Sequence, residues 1–290
     1  MDDLRMLRCP SGRRLAAQFS GDLDGNPVLF FHGTPGSRLF VPPEEISRQE
    51  HARIVTVDRP GYGLSDAAPA EVTTVAAVAK DILSVVAEEV GVPIAVVGFS
   101  GGASYALACG AMGPGDVTRV AVVSGDAPPQ LPPEPSELSE SEVEFVQRVR
   151  RDPSSGTELL MPHARAFAID PLVYLTKPVD GADAAVRARP DVRELLERNA
   201  REAGRQGSSG LVMDWLLEIL PWGFEPREIE RPVAVWYGTA DPGPAPRAAS
   251  RLLGEIPHSS AYPVEGGGHE LVLTHWREIL RSLRTGGQAG

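Results

Sequence analysis

Five short runs rich in valine and isoleucine, at residues 27–31, 53–57, 93–97, 119–124 and 232–237, limit what this chain can fold into. Each is mostly apolar and does not alternate strictly, the mark of a strand covered on both faces. A sixth run, 259–264, is more polar and fits a place nearer a sheet edge. Between the second and third runs the spacing predicts a helix: Thr74 caps it, Val75, Val78, Ile82, Val85 and Val86 form one apolar face, and Gly91 ends it. Strands alternating with helices imply a doubly wound, mostly parallel sheet of the α/β class. Residues 10–20, with the turn Ser11-Gly12, predict a leading hairpin beside that sheet.

The alternation stops after Ser124 and resumes at Pro232. In between, the proline-rich stretch Pro128 to Pro135 reads as a stiff, non-helical bridge. Helical patterns follow at 136–151, where Val143, Val146 and Val149 recur three apart, then at roughly 157–169, 182–203 and 208–220. Residues 127–228 are therefore expected to form a helical cap inserted into a core made of 1–126 and 229–290. The rival organisation is a separately folded partner-binding domain. A chain of 290 residues suits one core carrying one insertion.

Composition narrows the function classes. The chain is 42% hydrophobic yet has no run of 18 uninterrupted apolar residues, so a soluble protein is expected. It starts Met1-Asp2-Asp3-Leu4-Arg5 without a hydrophobic signal region, which points to the cytoplasm. A formal charge of -11 argues against a nucleic-acid or anionic-membrane surface and leaves a small molecule as the expected partner. Cys9 and Cys109 lack metal-ligand spacing and read as buried free thiols; no metal site is expected. Oligomeric state leaves no mark in the sequence.

The chemistry gathers around Ser100. It lies in Gly98-Phe99-Ser100-Gly101-Gly102, directly after the run ending at Val97 and before the small-residue stretch Ala103 to Ala108. Strand, tight turn and helix in that order form a nucleophile elbow, in which the flanking glycines leave room for a strained turn that exposes the hydroxyl. A helix starting there also aims backbone N–H groups at a developing oxyanion.

Position ranks the partners, because catalytic groups of a parallel sheet gather at the carboxyl ends of its strands. Of six histidines, His51 and His258 precede strands, His163 falls in the inserted segment, His275 lies inside the C-terminal helix expected over 270–284, and His32 belongs to a different motif. His269 remains, after the last strand and Gly266-Gly267-Gly268, three glycines expected to make a mobile loop. Three aspartates close strands. Asp241 is the preferred orienter of His269, with Pro242, Pro244 and Pro246 expected to hold its loop open; Asp126 is the alternative acid, and Asp58 is expected to tie down its own turn.

The chain order Ser100, Asp241, His269 is that of the α/β-hydrolase fold. The sequence resembles that superfamily over nearly its whole length: His32-Gly33-Thr34-Pro35-Gly36 is similar to its oxyanion segment, Asp58-Arg59-Pro60-Gly61-Tyr62-Gly63-Leu64-Ser65 to its turn after the next strand, and Pro221-Trp222-Gly223-Phe224 to a junction between cap and core. The resemblance implies that the backbone N–H groups of Thr34 and Gly101 are the oxyanion donors. It also implies acyl transfer to water on an ester-like substrate (carboxylic ester, thioester or lactone) without a cofactor. The same triad in this superfamily also serves C–C bond hydrolases, hydroxynitrile lyases, perhydrolases and proline iminopeptidases. From the last group this chain departs at Thr34, where glycine is usual, and at Pro60. A non-catalytic protein that binds a small ligand is the remaining alternative. Aromatic residues of the insertion, among them Phe167, Tyr174, Trp215, Trp222 and Phe224, are expected mostly in the cap's own core.

Overall fold

The computed structural model describes residues 3–68, 73–113, 115–129, 139–176, 179 and 181–284. The chain opens with a hairpin of β1 (Asp3–Arg8) and β2 (Arg14–Gly21) that turns at Gly12, where φ is +87°. The hairpin thus starts ahead of the expected 10–20. Leu4 and Met6 of β1 are exposed and the strand sits at the sheet edge, so backbone pairing with β2, with Leu7 reaching the core, holds it. There follow β3 (Asn26–Phe31), α1 (Glu44–Gln49), β4 (Ala52–Val57), α2 (Val75–Val90), β5 (Ile94–Phe99), α3 (Gly102–Met112) and β6 (Val117–Val123). Thr74 accepts the Ala77 N–H and Gly91 takes φ +73°, as the capping pattern predicts for α2.

Between β6 and β7 (Val233–Gly238) the described residues are helical: α4 (Glu140–Arg151), α5 (Pro153–Ile169), α6 (Ala182–Arg187), α7 (Pro190–Ala203) and α8 (Ser209–Ile219), with short 3-10 turns. Most of the proline-rich bridge lies outside the described residues. Helix α5 starts earlier than the expected 157 because Asp152 caps it. The single helix expected over 182–203 is two. Arg189, held extended at ψ 132° ahead of Pro190, cannot continue α6. The chain ends with α9 (Ala245–Glu255), β8 (Ser259–Val264), α10 (Leu271–Thr274) and α11 (Trp276–Ser282). The helix expected over 270–284 is therefore also broken, at His275. Pro246, expected in an open loop, lies instead in the first turn of α9, where a missing N–H costs nothing.

The eight strands form one sheet in the order β1-β2-β4-β3-β5-β6-β7-β8. β2 runs antiparallel to both neighbours and every other adjacent pair is parallel. Strand periodicity sends successive residues to opposite faces, and here both faces are apolar. Leu29, Val96, Val122 and Val235 join a core with α2, α3 and α9, while Phe30, Val97, Val123 and Trp236 join a second core with α7, α10 and α11. The polar run 259–264 is the far edge strand β8, where Pro263 is tolerated. Both cysteines are free and buried. No described helix is long and apolar enough to cross a membrane.

Candidate active site

Strand ends bring the predicted residues together. Ser100 follows β5 with φ +52°, a left-handed conformation uncommon for a residue with a Cβ. The turn is held by Ser100 N–H donating to Val123 O (2.9 Å) and Ala103 N–H to Ser100 O (2.9 Å). Its flanking glycines are required by close backbone approach. A Cβ on Gly98 would come within 2.7 Å of Ala103 Cα, and one on Gly102 within 2.6 Å of His32 O.

His269 follows β8 and Asp241 follows β7. His269 Nε2 lies 3.0 Å from Ser100 Oγ, and His269 Nδ1 lies 2.8 Å from Asp241 Oδ2. Asp241 also accepts the Gly243 N–H at 2.7 Å. The alternative acid, Asp126, is placed away from this line: its side chain is 59% exposed and sits 3.9 Å from Arg251. Burial pulls the His269 pKa down, but the hydrogen bond to Asp241 and that carboxylate's charge, with Glu270 and Asp183 behind it, leave it above the ordinary imidazole value. Burial raises Asp241 while the bond to His269 lowers it, and the net shift is downward.

The loop carrying His269 is tied down, not free as three glycines suggest. Gly266 N–H donates to Thr239 Oγ1, Ala240 N–H to Gly267 O, and Ser124 Oγ to His269 O. The glycines serve close packing: a Cβ on Gly238 would collide with Gly267 and Gly268. From the insertion, Asp183 accepts the N–H groups of His269 (2.7 Å) and Glu270 (2.9 Å).

The segment after β3 passes beside the serine, with Gly33 packed on the Ser100 Cβ. The Arg59 guanidinium, fully buried, donates to His32 O, to Gly33 O (3.1 Å) and to Thr34 Oγ1 (3.1 Å). Because the peptide is planar, fixing Gly33 C=O on Arg59 turns the Thr34 N–H the opposite way. The Ser100 carbonyl accepts from within the first turn of α3, which likewise leaves the Gly101 N–H facing out of that helix start. His32 itself is buried and neutral: burial, then the Arg59 charge, push its pKa well down. Asp58 does tie its own turn, accepting Leu64 N–H, and it also holds Arg38 of the preceding loop.

Sequence reasoning missed the groups beneath this segment. Asp214 of α8 accepts from Arg59, Thr34 Oγ1 (3.0 Å), Tyr62 (2.9 Å) and Tyr105 (2.7 Å), all but out of solvent. One turn later Glu218 stands beside Gly101 and Thr34; burial, then the nearby Asp214 charge, raise its pKa to about 8. Two acids four apart in an otherwise apolar helix were the signal, since that spacing puts both on one face.

Two cavities meet at Ser100. One, of about 150 Å³, is lined by Thr34, Phe40, Phe99, Tyr174, Leu196 and His269. The other, of about 200 Å³, is lined by Gly101, Asp126, Trp215, Glu218, Trp222 and His269. Phe167 packs with Ala203 and Leu211 of the inserted segment as expected, Phe224 packs instead into the core that α2 and α3 share with the sheet, and Tyr174, Trp215 and Trp222 reach these cavity walls. Among the described residues no group of three or more His, Cys, Asp or Glu side chains is arranged to hold a metal ion.

With this sheet order and strand-end placement, the chain belongs to the alpha/beta hydrolase family, whose model matches residues 28–282. Solved structures with the same fold include a hydrolase from Pseudomonas aeruginosa PA01 (TM-score 0.70, 16% identity, 97% of this chain and 98% of that one). A thermophilic esterase from Thermogutta terrifontis is similar at TM-score 0.63 and 22% identity, over 98% and 100% of the two chains. The epoxide hydrolase VrEH1 from Vigna radiata is similar at TM-score 0.66 and 16% identity, over 97% and 96%. At such identities the likeness establishes the fold alone. No curated protein sequence matches the chain.

Proposed function

We propose that the protein is a serine hydrolase that cleaves an ester-like bond in a small molecule through an acyl-enzyme. The observation that carries this reading is the relay from Ser100 Oγ through His269 to Asp241, with both hydrogen bonds at normal length. His269 Nε2 takes the Ser100 proton as Oγ bonds to the scissile carbonyl carbon. The oxyanion so formed lies between the N–H groups of Thr34 and Gly101. Collapse breaks the bond to the leaving group, which receives the proton from His269. A water then gives its proton to His269, attacks the acyl carbon and releases the acid with Ser100 restored. Asp241 keeps the imidazole in the required tautomer and stabilises its charged form.

In this reading residues 127–228 form a lid over a core of 1–126 and 229–290, and the two cavities take the acyl and leaving groups. The reaction needs no cofactor. Labelling with a fluorophosphonate probe, together with turnover of p-nitrophenyl acetate, tests the reading: both are expected in the wild type and lost in Ser100→Ala. Equal turnover by the two proteins would reject Ser100 as nucleophile.

A further inference from the structure

The base of the proposed relay is held by a residue from outside the core. His269 follows three glycines whose loop is pinned at Gly266 by Thr239 and at Gly267 by Ala240, and the placement of His269 itself depends on contacts further along. On the core side Ser124 Oγ donates to the His269 carbonyl at 2.8 Å. On the other side the two successive N–H groups of His269 and Glu270 end on the two oxygens of a single carboxylate, Asp183 of α6. Asp183 is buried, and it fills the space that a Cβ on Gly268 would need, so the loop is shaped around it. One turn along α6, Arg187 donates to the buried Glu270 carboxylate at 2.8 Å. Helix α6 therefore grips the dipeptide His269-Glu270 at three points. Arg187 also lines the cavity that contains Ser100.

We propose that Asp183 is a positioning residue for His269, and that the docking of α6 on His269-Glu270 sets the imidazole at hydrogen-bonding distance from Ser100. The inference rests on the serine-hydrolase reading above. Asp183 touches no reacting atom; it acts through the backbone of the base. Displacing α6 removes two charge-assisted hydrogen bonds that fix where the His269 main chain lies, and the ring follows the main chain. A base misplaced by ~1 Å loses on the order of 100-fold in rate. The Asp183 charge has a second effect. The groups facing His269 are Asp241 from the β7 loop, Asp183 and the Glu270-bound Arg187 from α6, and Glu270 itself, while Asp126 and Glu218 border the same cavity. Asp183 is one of the carboxylates that raise the His269 pKa, so its neutralisation moves that pKa down.

The test uses the full chain as wild type, Asp183→Ala, Asp183→Asn and Arg187→Met, with Ser100→Ala as control. The rate of fluorophosphonate labelling is measured across pH, alongside kcat and KM on p-nitrophenyl acetate. Asp183→Ala is expected to lower the labelling rate and kcat about 100-fold with KM within about 3-fold. Asp183→Asn, which keeps one acceptor, is expected within about 10-fold of wild type, with its acid limb moved to lower pH. Arg187→Met is expected between wild type and Asp183→Ala. Labelling of folded Asp183→Ala at the wild-type rate would overturn the proposal. So would an Asp183→Asn acid limb that stays in place, the decisive result should Asp183→Ala fail to fold. Failure of the underlying reading looks different: the wild type itself resists the probe, or Ser100→Ala reacts as fast.

Discussion

Asp214→Ala is the substitution for which the structure gives the firmest expectation. Asp214 is almost completely buried on α8 and is the counter-ion of Arg59, itself without solvent contact. Truncating it leaves a guanidinium charge in the interior, a change that costs ~3–5 kcal/mol in buried pairs. It also strips an acceptor from the hydroxyls of Thr34, Tyr62 and Tyr105. Each orphaned donor is worth ~1–3 kcal/mol alone, but contacts in one network do not add, so ~4 kcal/mol is a fair lower figure. For a chain of this size each kcal/mol moves Tm by ~2 °C, giving a drop of ~8 °C by thermal unfolding. A double-mutant cycle adds the decisive comparison. Arg59→Met with Asp214→Leu removes both charges, and the pair is expected to be ~1–3 kcal/mol more stable than the sum of the single changes. Turnover should fall in every member of the cycle, because Arg59, held by Asp214, fixes the Gly33 carbonyl whose peptide carries the Thr34 N–H. Single changes that add to within ~0.5 kcal/mol would show that the two charges do not depend on each other, and the reasoning would fail.

Three further outcomes are expected. Asp241→Asn should lower kcat about 10⁴-fold; since the base in the proposed mechanism is neutral His269 and Asp241 raises its pKa, the acid limb of the pH–rate profile should also move to lower pH, and an unmoved limb would count against the relay. Gly102→Ala places a Cβ within 2.6 Å of His32 O, so Tm should fall by an amount equivalent to ~1–3 kcal/mol and probe labelling at Ser100 should weaken; a variant as stable as wild type would contradict the elbow geometry. Glu218 keeps its proton in the folded state up to about pH 8, whereas an unfolded chain loses it at the ordinary glutamate value. Folding therefore binds a proton and loses stability as pH rises between those values. Glu218→Gln should accordingly gain Tm relative to wild type from pH 5 to pH 8, and a pH-independent difference would be inconsistent with a half-buried acid that keeps its proton.

The central strands were legible because burial on both faces leaves a continuous apolar run, as in Val96-Val97 or Val122-Val123. The placement of Ser100, Asp241 and His269 was legible because a parallel sheet collects its loops at one edge. Other features depend on contacts far apart in sequence. Arg59 reads as one residue of a glycine-rich turn, and nothing local says that its charge is met by Asp214, 155 positions later. The spacing of Asp214 and Glu218 shows a shared helix face but not what that face meets. Asp183 sits among alanines on a six-residue helix, and its partners are backbone N–H groups, which leave no trace in a pattern of side chains. The break at Arg189-Pro190 was a different failure. Its local signal was present, but helical periodicity on both sides outweighed it.

The Arg59–Asp214 pair also bears on how such a chain can be re-engineered or can diverge. An inserted helical segment invites exchange between relatives, as though it were a detachable module. Here the core carries a cation that is tolerable only while α8 is present, so a graft that lacks an acid at that point leaves the host with a charge it cannot hydrate. A transplanted or deleted segment between β6 and β7 would have to travel with a change at Arg59, and the two positions are expected to vary together or not at all.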